Sequence, residues 1–269
     1  MAPSIAPACT RLVYLGVHDQ VITARTMDWK SDLKTNLWIF PRGMARNGEV
    51  GPNSLAWTSK YGSVIASAYD CTTDGLNEAG LVANVLWLAE SEYPKFNPSR
   101  RGLTIAAWAQ YVLDNFATVE EAVADLEREP FIIVTDDVSQ DEKRLASLHL
   151  AISDASGDSA IVEYIRGKQV IHHNRKYQVM TNSPIFDKQL ALNAYWEQIG
   201  GTVFLPGTNR SSDRFARAEF YVNAIPKDEN RNHALASVFS VIRNVSVPYG
   251  ITTPSSRRCG TRAPASSAT

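Results

Sequence analysis

The chain has 269 residues, 44% of them apolar and 20% charged, with a formal net charge of −1. That balance describes a globular protein with room for a large core. It offers no electrostatic ground for a nucleic-acid or anionic-membrane partner, and no apolar run approaches the ~20 residues a membrane-spanning helix needs.

Met1–Ala8 lacks the basic start and apolar centre of a complete secretory signal, yet it closes on Ala6-Pro7-Ala8, a small-residue pattern of the kind signal peptidases cut after. Residues 1–8 therefore read as a leader to be removed, with a periplasmic or secreted destination if a signal precedes this start and a cytoplasmic one otherwise. Strands are expected at Thr10–Gly16, Val21–Trp29, Asn36–Phe40, Leu55–Thr58, Ser63–Tyr69 and Leu81–Leu88, the last a nearly continuous apolar run suited to burial on both faces. Asp74–Gly80 is dense in turn residues and is expected to be a turn. Leu103–Ala117 carries apolar residues at helical spacing, and Thr118-Val-Glu-Glu121 forms a capping box for a second helix to about Arg128. Strands resume at Leu145–Ser153, Ser159–Ile165, Gln169–His173 and Tyr177–Thr181. Helices are expected at Phe186–Ile199, Ser212–Ile225 and Asn232–Val245. Alternating blocks of strands and helices with no internal repeat or linker indicate one layered α+β domain. Beyond Pro248 the chain turns to Ser, Ala and Arg, and residues 255–269 read as a disordered tail.

The chemistry has few candidate carriers. The sequence has no Gly-x-Ser-x-Gly elbow, P-loop, dinucleotide glycine fingerprint or His-Glu-x-x-His. His149 sits in a strand, and His172 and His173 point to opposite strand faces, a poor metal pair. The three cysteines, Cys9, Cys71 and Cys259, are odd in number and lack metal-ligand spacing, so neither a disulfide framework nor a metal site is expected.

A cysteine near the amino end, followed by a strand, remains. If Cys9–Gly16 and Val21–Trp29 form a hairpin, Arg25 and Asp28 return towards Cys9. A neighbouring cation favours the thiolate of a free cysteine, which ordinarily titrates near ~8.5. A free α-amino group titrates near ~8 and can act as a base. A cysteine that becomes the first residue thus carries nucleophile and base together. The same residues also admit a plainer account, with Cys9 a small buried side chain and Arg25–Asp28 a surface ion pair.

Cys9-Thr-Arg, Ala24-Arg-Thr-Met-Asp-Trp29, Gly75-Leu-Asn-Glu-Ala-Gly-Leu81, Met180-Thr-Asn-Ser-Pro184, Leu205-Pro-Gly207 with Asp213-Arg-Phe-Ala-Arg217, and Pro248-Tyr-Gly-Ile-Thr-Thr-Pro254 occur in one order. Together they resemble the choloylglycine hydrolase family over residues 9–254. The resemblance implies a four-layer αββα sandwich of the N-terminal-nucleophile hydrolase type. It further implies hydrolysis of a linear amide bond through a thioester on Cys9, without a cofactor or metal. By the same resemblance Arg25 sits by the thiolate, Asp28 holds the α-amino group, Asn182 donates to the oxyanion with the Trp87 backbone N–H, and Arg214 completes the polar network, with Arg217 close enough to compete for that position. Its partner is a small-molecule amide, and its assembly a homo-oligomer, a tetramer in the family.

Trp29 and Trp87 would form a flat apolar acyl pocket. That pattern resembles the Gram-negative penicillin V acylase branch, some members of which cleave acyl-homoserine lactones. Two alternatives stand beside it: a bile salt hydrolase, and an inactive relative acting as a binding or assembly module. The second arises because the family continues past the Ile-Thr-Thr-Pro motif where this chain turns to its tail. On that reading the last strands are lacking, and sheet edges and apolar surface are left open.

Overall fold

The computed structural model describes residues 8–248 apart from 30–31, 136, 140–141, 201–203 and 229. Most of the leader, and the tail from residue 249, lie outside the described residues. The chain runs β1 (Ala8–Leu15), β2 (Val21–Asp28), β3 (Leu37–Phe40), β4 (Ala45–Asn47), β5 (Ala56–Thr58), β6 (Ser63–Ala68), β7 (Cys71–Asn77), β8 (Val82–Trp87) and β9 (Gly102–Thr104). A 3-10 turn at Ile105–Ala107 leads into α1 (Trp108–Asn115) and α2 (Val119–Leu126). Then come β10 (Ile132–Val134), β11 (Asp137–Ser139), β12 (Glu142–Leu145), β13 (Leu148–Ser153), β14 (Ser159–Ile165), β15 (Lys168–His173) and β16 (Val179–Met180), followed by α3 (Phe186–Gln198), α4 (Ser211–Ala224) and α5 (Arg231–Val245).

Two sheets form the centre. One has seven strands in the order β15-β14-β13-β8-β7-β6-β3, and the other has three in the order β16-β1-β2. Helix α1 packs on β7 and β8, placing Trp108, Val112 and Leu113 against Ile65, Leu81 and Ile152. On the opposite side α4 and α5 pack on β1 and β2, and Phe215, Val222 and Val238 join Leu12 and Tyr14 in a second core. The result is the αββα sandwich. Strand β1 lies between two partner strands, the second sheet and a helix layer, and Ala8–Tyr14 are all buried.

The β1–β2 hairpin forms in the expected register, Ala8 opposite Asp28 and Arg11 opposite Arg25. Its turn passes through His18 and Asp19 at φ +52° and +56°, and the Gly16 N–H donates to the Gln20 carbonyl at 2.8 Å. Thr118 caps α2 as expected, its side chain accepting from the Glu121 N–H.

Two expectations are corrected. Asp74–Asn77 is strand, not turn, because β7 pairs with both β6 and β8 there. Gly75 permits that close packing: a Cβ on it would lie 2.4 Å from Leu113 Cδ1 and 2.7 Å from Ile65 Cγ2. The helix expected from Leu103 begins at Trp108, because Gly102–Thr104 pairs in parallel with Ile132–Val134. Helical spacing of apolar residues does not reveal a partner 30 residues downstream.

The narrower sheet covers only part of the wider one. Ile39, Val64 and Leu76 stand in one cross-strand row and are 80%, 48% and 50% exposed. Between this row and β2 lies a groove of about 790 Å³. Among the described residues β2 is an edge strand. No described helix is long and apolar enough to cross a membrane.

Candidate active site

Cys9 is the second residue of β1, buried at 4% exposure, and its side chain faces a cavity of about 140 Å³. Arg25, Met27, Trp29, Tyr69, Val85 and Trp87 line the same cavity. Cys9 and Cys71, which also lines it, are both free thiols. The Trp29 and Trp87 rings meet at a centroid distance of 5.8 Å and a tilt of 55°. Tyr69 reaches the wall from the β6–β7 hairpin, whose turn residues Tyr69 and Asp70 have φ of +50° and +63°.

Arg25 does not pair with Asp28. Its Nη1 donates to Asp74 Oδ2 at 2.6 Å and to the Val85 carbonyl at 3.2 Å, and its Nε to the Thr26 carbonyl at 3.1 Å. Burial works against the guanidinium charge, but Asp74 and Cys9 more than offset it and hold its pKa above the ordinary arginine value. Burial lifts the Asp74 carboxyl above the usual carboxylate range, with Arg25 and Asn84 pulling the other way. The surface ion pair between Arg25 and Asp28 is thus replaced by an ion pair between the two sheets.

Asp28 ends β2 directly opposite Ala8. Burial raises its pKa, against opposing contributions from the Thr26 side chain, the Val247 N–H and the charges of Arg214 and Arg25. Its Oδ2 is buried with no hydrogen-bond partner among the described residues.

Asn182 follows β16 in the short segment before α3. Its Oδ1 accepts from the Cys9 N–H at 2.7 Å and from Arg214 Nη2 at 2.8 Å, while its Nδ2 donates to the Trp87 carbonyl at 2.8 Å. The Leu88 N–H donates to the Ser147 carbonyl at 2.9 Å, towards β13. Alternation along an antiparallel strand therefore turns the Trp87 N–H and C=O the other way, to the side where Asn182 lies.

Arg214 enters from the first turns of α4 and is 1% exposed. Its Nη1 reaches the Cys9 carbonyl at 2.6 Å and Thr10 Oγ1 at 2.5 Å. Burial depresses its pKa to about 10, with Cys9 and Asp28 acting in the opposite sense. Arg217 faces elsewhere, donating to the carbonyls of Pro206 and Thr208 and to Asn244. Geometry thus separates two arginines that spacing alone confused.

Arg25, Trp29 and Trp87 share the Cys9 cavity, Asn182 and Arg214 bond the Cys9 backbone, and Asp28 lies opposite Ala8. Sequence reasoning missed Asp74, although it stands just before the Gly75–Leu81 motif, because a run of Asp, Gly and Asn resembles a turn. His149 lies in the strand and its Nδ1 is 3.2 Å from Glu163, whereas its Nε2 is buried without a hydrogen-bond partner among the described residues. No described cluster of His, Cys, Asp and Glu could hold a metal ion.

Residues 9–258 match the linear amide C-N hydrolases, choloylglycine hydrolase family. A penicillin V acylase from Pectobacterium atrosepticum is 61% identical over 94% of this chain and 73% of its own length. The structure of a penicillin V acylase from Agrobacterium tumefaciens superposes with a TM-score of 0.86 at 74% identity, covering 91% of this chain and 75% of the other. A mutant conjugated bile acid hydrolase from Clostridium perfringens superposes at 0.76 with 27% identity, covering 91% and 80%. The cysteine at the head of β1, the sandwich around it and these similarities agree: the chain belongs to the linear amide C–N hydrolases of the choloylglycine hydrolase family.

Proposed function

We propose that this hydrolase, freed of residues 1–8, uses the Cys9 thiol and its own α-amine to cleave amides with a flat, apolar acyl group, as a penicillin V acylase does. The observation that carries this reading is the convergence of Cys9, Arg25, Trp29 and Trp87 on one largely apolar cavity. Trimming before Cys9 would leave an α-amine next to the position opposite Asp28, whose buried Oδ2 lacks a partner among the described residues.

The chemistry follows in two steps. The α-amine takes the thiol proton, and sulfur attacks the amide carbon, forming a C–S bond. Arg25 keeps a positive charge beside the sulfur. The developing oxyanion would meet the Trp87 N–H and Asn182 Nδ2, an NH₂ group with two hydrogens of which the Trp87 carbonyl takes one. Removing such a donor typically costs about 10²–10³ in rate. The C–N bond breaks as the α-ammonium returns its proton to the leaving amine. Water then attacks the thioester with the α-amine as base, releasing the carboxylic acid and restoring the thiol.

Two indoles suit a phenoxyacetyl or fatty acyl group better than a hydroxylated steroid. Intact mass before and after one equivalent of iodoacetamide, followed by turnover of penicillin V, acyl-homoserine lactones and glycine- or taurine-conjugated bile salts, tests the reading. A mass beginning at Cys9 with one rapid label, and preference for penicillin V, is the expected result. Full activity of Cys9→Ser would overturn the mechanism, and preference for the bile salt conjugates would overturn the substrate class.

A further inference from the structure

The segment Thr181–Pro184, which presents Asn182, is gripped by one fully buried side chain, Gln189 on α3. Gln189 Nε2 donates to the Asn182 carbonyl and, at 2.5 Å, to the Pro184 carbonyl. Its Oε1 faces the Thr181 N–H at 3.4 Å and the Thr181 hydroxyl at 3.1 Å. An amide side chain has two donor hydrogens and an acceptor oxygen, and here both ends are spent on the same short segment. The Thr181 hydroxyl also lies 3.1 Å from the Ser211 carbonyl and accepts from the Ser211 hydroxyl at 2.8 Å. Ser211 is the first residue of α4, the helix that carries Arg214. One network therefore joins the backbone under Asn182 to the start of the helix under Arg214, and those two side chains meet at 2.8 Å beside Cys9.

Neither an apolar nor a carboxylate side chain could replace this amide. A methionine would leave the buried Asn182 carbonyl, the half-buried Pro184 carbonyl and the Thr181 N–H without this partner, and a glutamate would set an acceptor against the same carbonyls. We propose that Gln189 is a positioning residue that fixes the Asn182 side chain for oxyanion stabilisation and touches neither substrate nor thiol. The proposal rests on the reading of Asn182 given above. A displacement of order 1 Å at a reacting group can cost about 10² in rate, so loss of Gln189 should lower kcat by up to that factor and leave KM unchanged. Alkylation of Cys9 by iodoacetamide forms no oxyanion on a carbonyl, so its rate should stay at the wild-type value.

A double-mutant cycle with Asn182→Ala and Gln189→Met, read as kcat and KM for penicillin V and as the iodoacetamide rate, is the test. The expected result is a large kcat loss for each single variant, no further loss in the double variant, and wild-type alkylation in Gln189→Met. Additive losses, an unchanged kcat in Gln189→Met, or kcat and alkylation falling together in Gln189→Met would overturn the role of Gln189. If Asn182→Ala itself turns over at the wild-type rate, the oxyanion assignment fails and the proposal falls with it. Gln189→Glu keeps side-chain volume but removes the donors, and it gives the same decision should the methionine variant not fold.

Discussion

Arg25 on β2 and Asp74 on β7 form an ion pair of 2.6 Å that links the two sheets beside Cys9, their side chains 10% and 16% exposed. At that burial the pair is poorly screened, and removing one charge leaves the other uncompensated. Asp74→Asn keeps the shape and one acceptor but frees the guanidinium to turn from the sulfur. The variant should lose about 1–3 kcal/mol of stability, and its iodoacetamide labelling at Cys9 should slow together with kcat/KM. Wild-type labelling in a folded Asp74→Asn protein would mean that the pair is structural only.

On the proposed reading, Trp29 and Trp87 separate acyl specificity from chemistry. Truncating either to alanine opens the cavity while leaving Arg25, Asn182 and Arg214 in place. A pocket contact of this kind is worth about 10–200-fold in discrimination. The ratio of kcat/KM for penicillin V to that for a bile salt conjugate should fall within that range. An unchanged ratio would show that the acyl group binds elsewhere.

Arg214 and Arg217 provide a matched contrast. Arg214 forks between the Cys9 carbonyl, Thr10 Oγ1 and Asn182 Oδ1, a planar geometry that an ammonium group cannot copy. Arg214→Lys should reduce kcat by about 10² if Asn182 shifts. Arg217→Lys, three residues along α4, should leave kcat at the wild-type value and report only on stability. Equal losses of kcat in the two variants would mean that α4 as a whole, not Arg214, shapes the site.

Glu163 gives a pH signature. Burial pushes its carboxyl up, but hydrogen bonds from His149 and His172 and from the Phe186 N–H outweigh that effect and hold its pKa at about 2, below the ordinary 4.5. Asp187 stands on the far side of His172 at 3.5 Å. Because the folded value is depressed, the stabilisation is fully present above the unfolded value and is lost as pH falls from about 5 towards 2. The contribution is on the order of a few kcal/mol. The gap between the urea midpoints of wild type and Glu163→Gln should be narrower at pH 3.5 than at pH 6. A constant gap between the two proteins would show that Glu163 does not titrate in this window.

Much of the site was legible because it is written in local pattern. The β1–β2 hairpin follows from two β-branched runs around a short turn, and its register returns Arg25, on the face of Cys9, and Asp28, on the other face, to the start of β1. Asn182 and Arg214 became legible only through the order of family motifs, since nothing in local spacing ties residue 182 or 214 to residue 9. Asp74 was hidden by its own neighbours, whose turn-prone residues are overridden by pairing with β6 and β8.

By itself the sequence determined the layered α+β class and a cysteine at the head of the first strand, because these depend on residue type and short-range period. Only the tertiary structure decided which cation faces which anion, which of two arginines reaches the cysteine, and which face of the wide sheet stands open. Those outcomes depend on burial and on contacts between residues 49 to 205 positions apart, and no local preference encodes a partner at that distance.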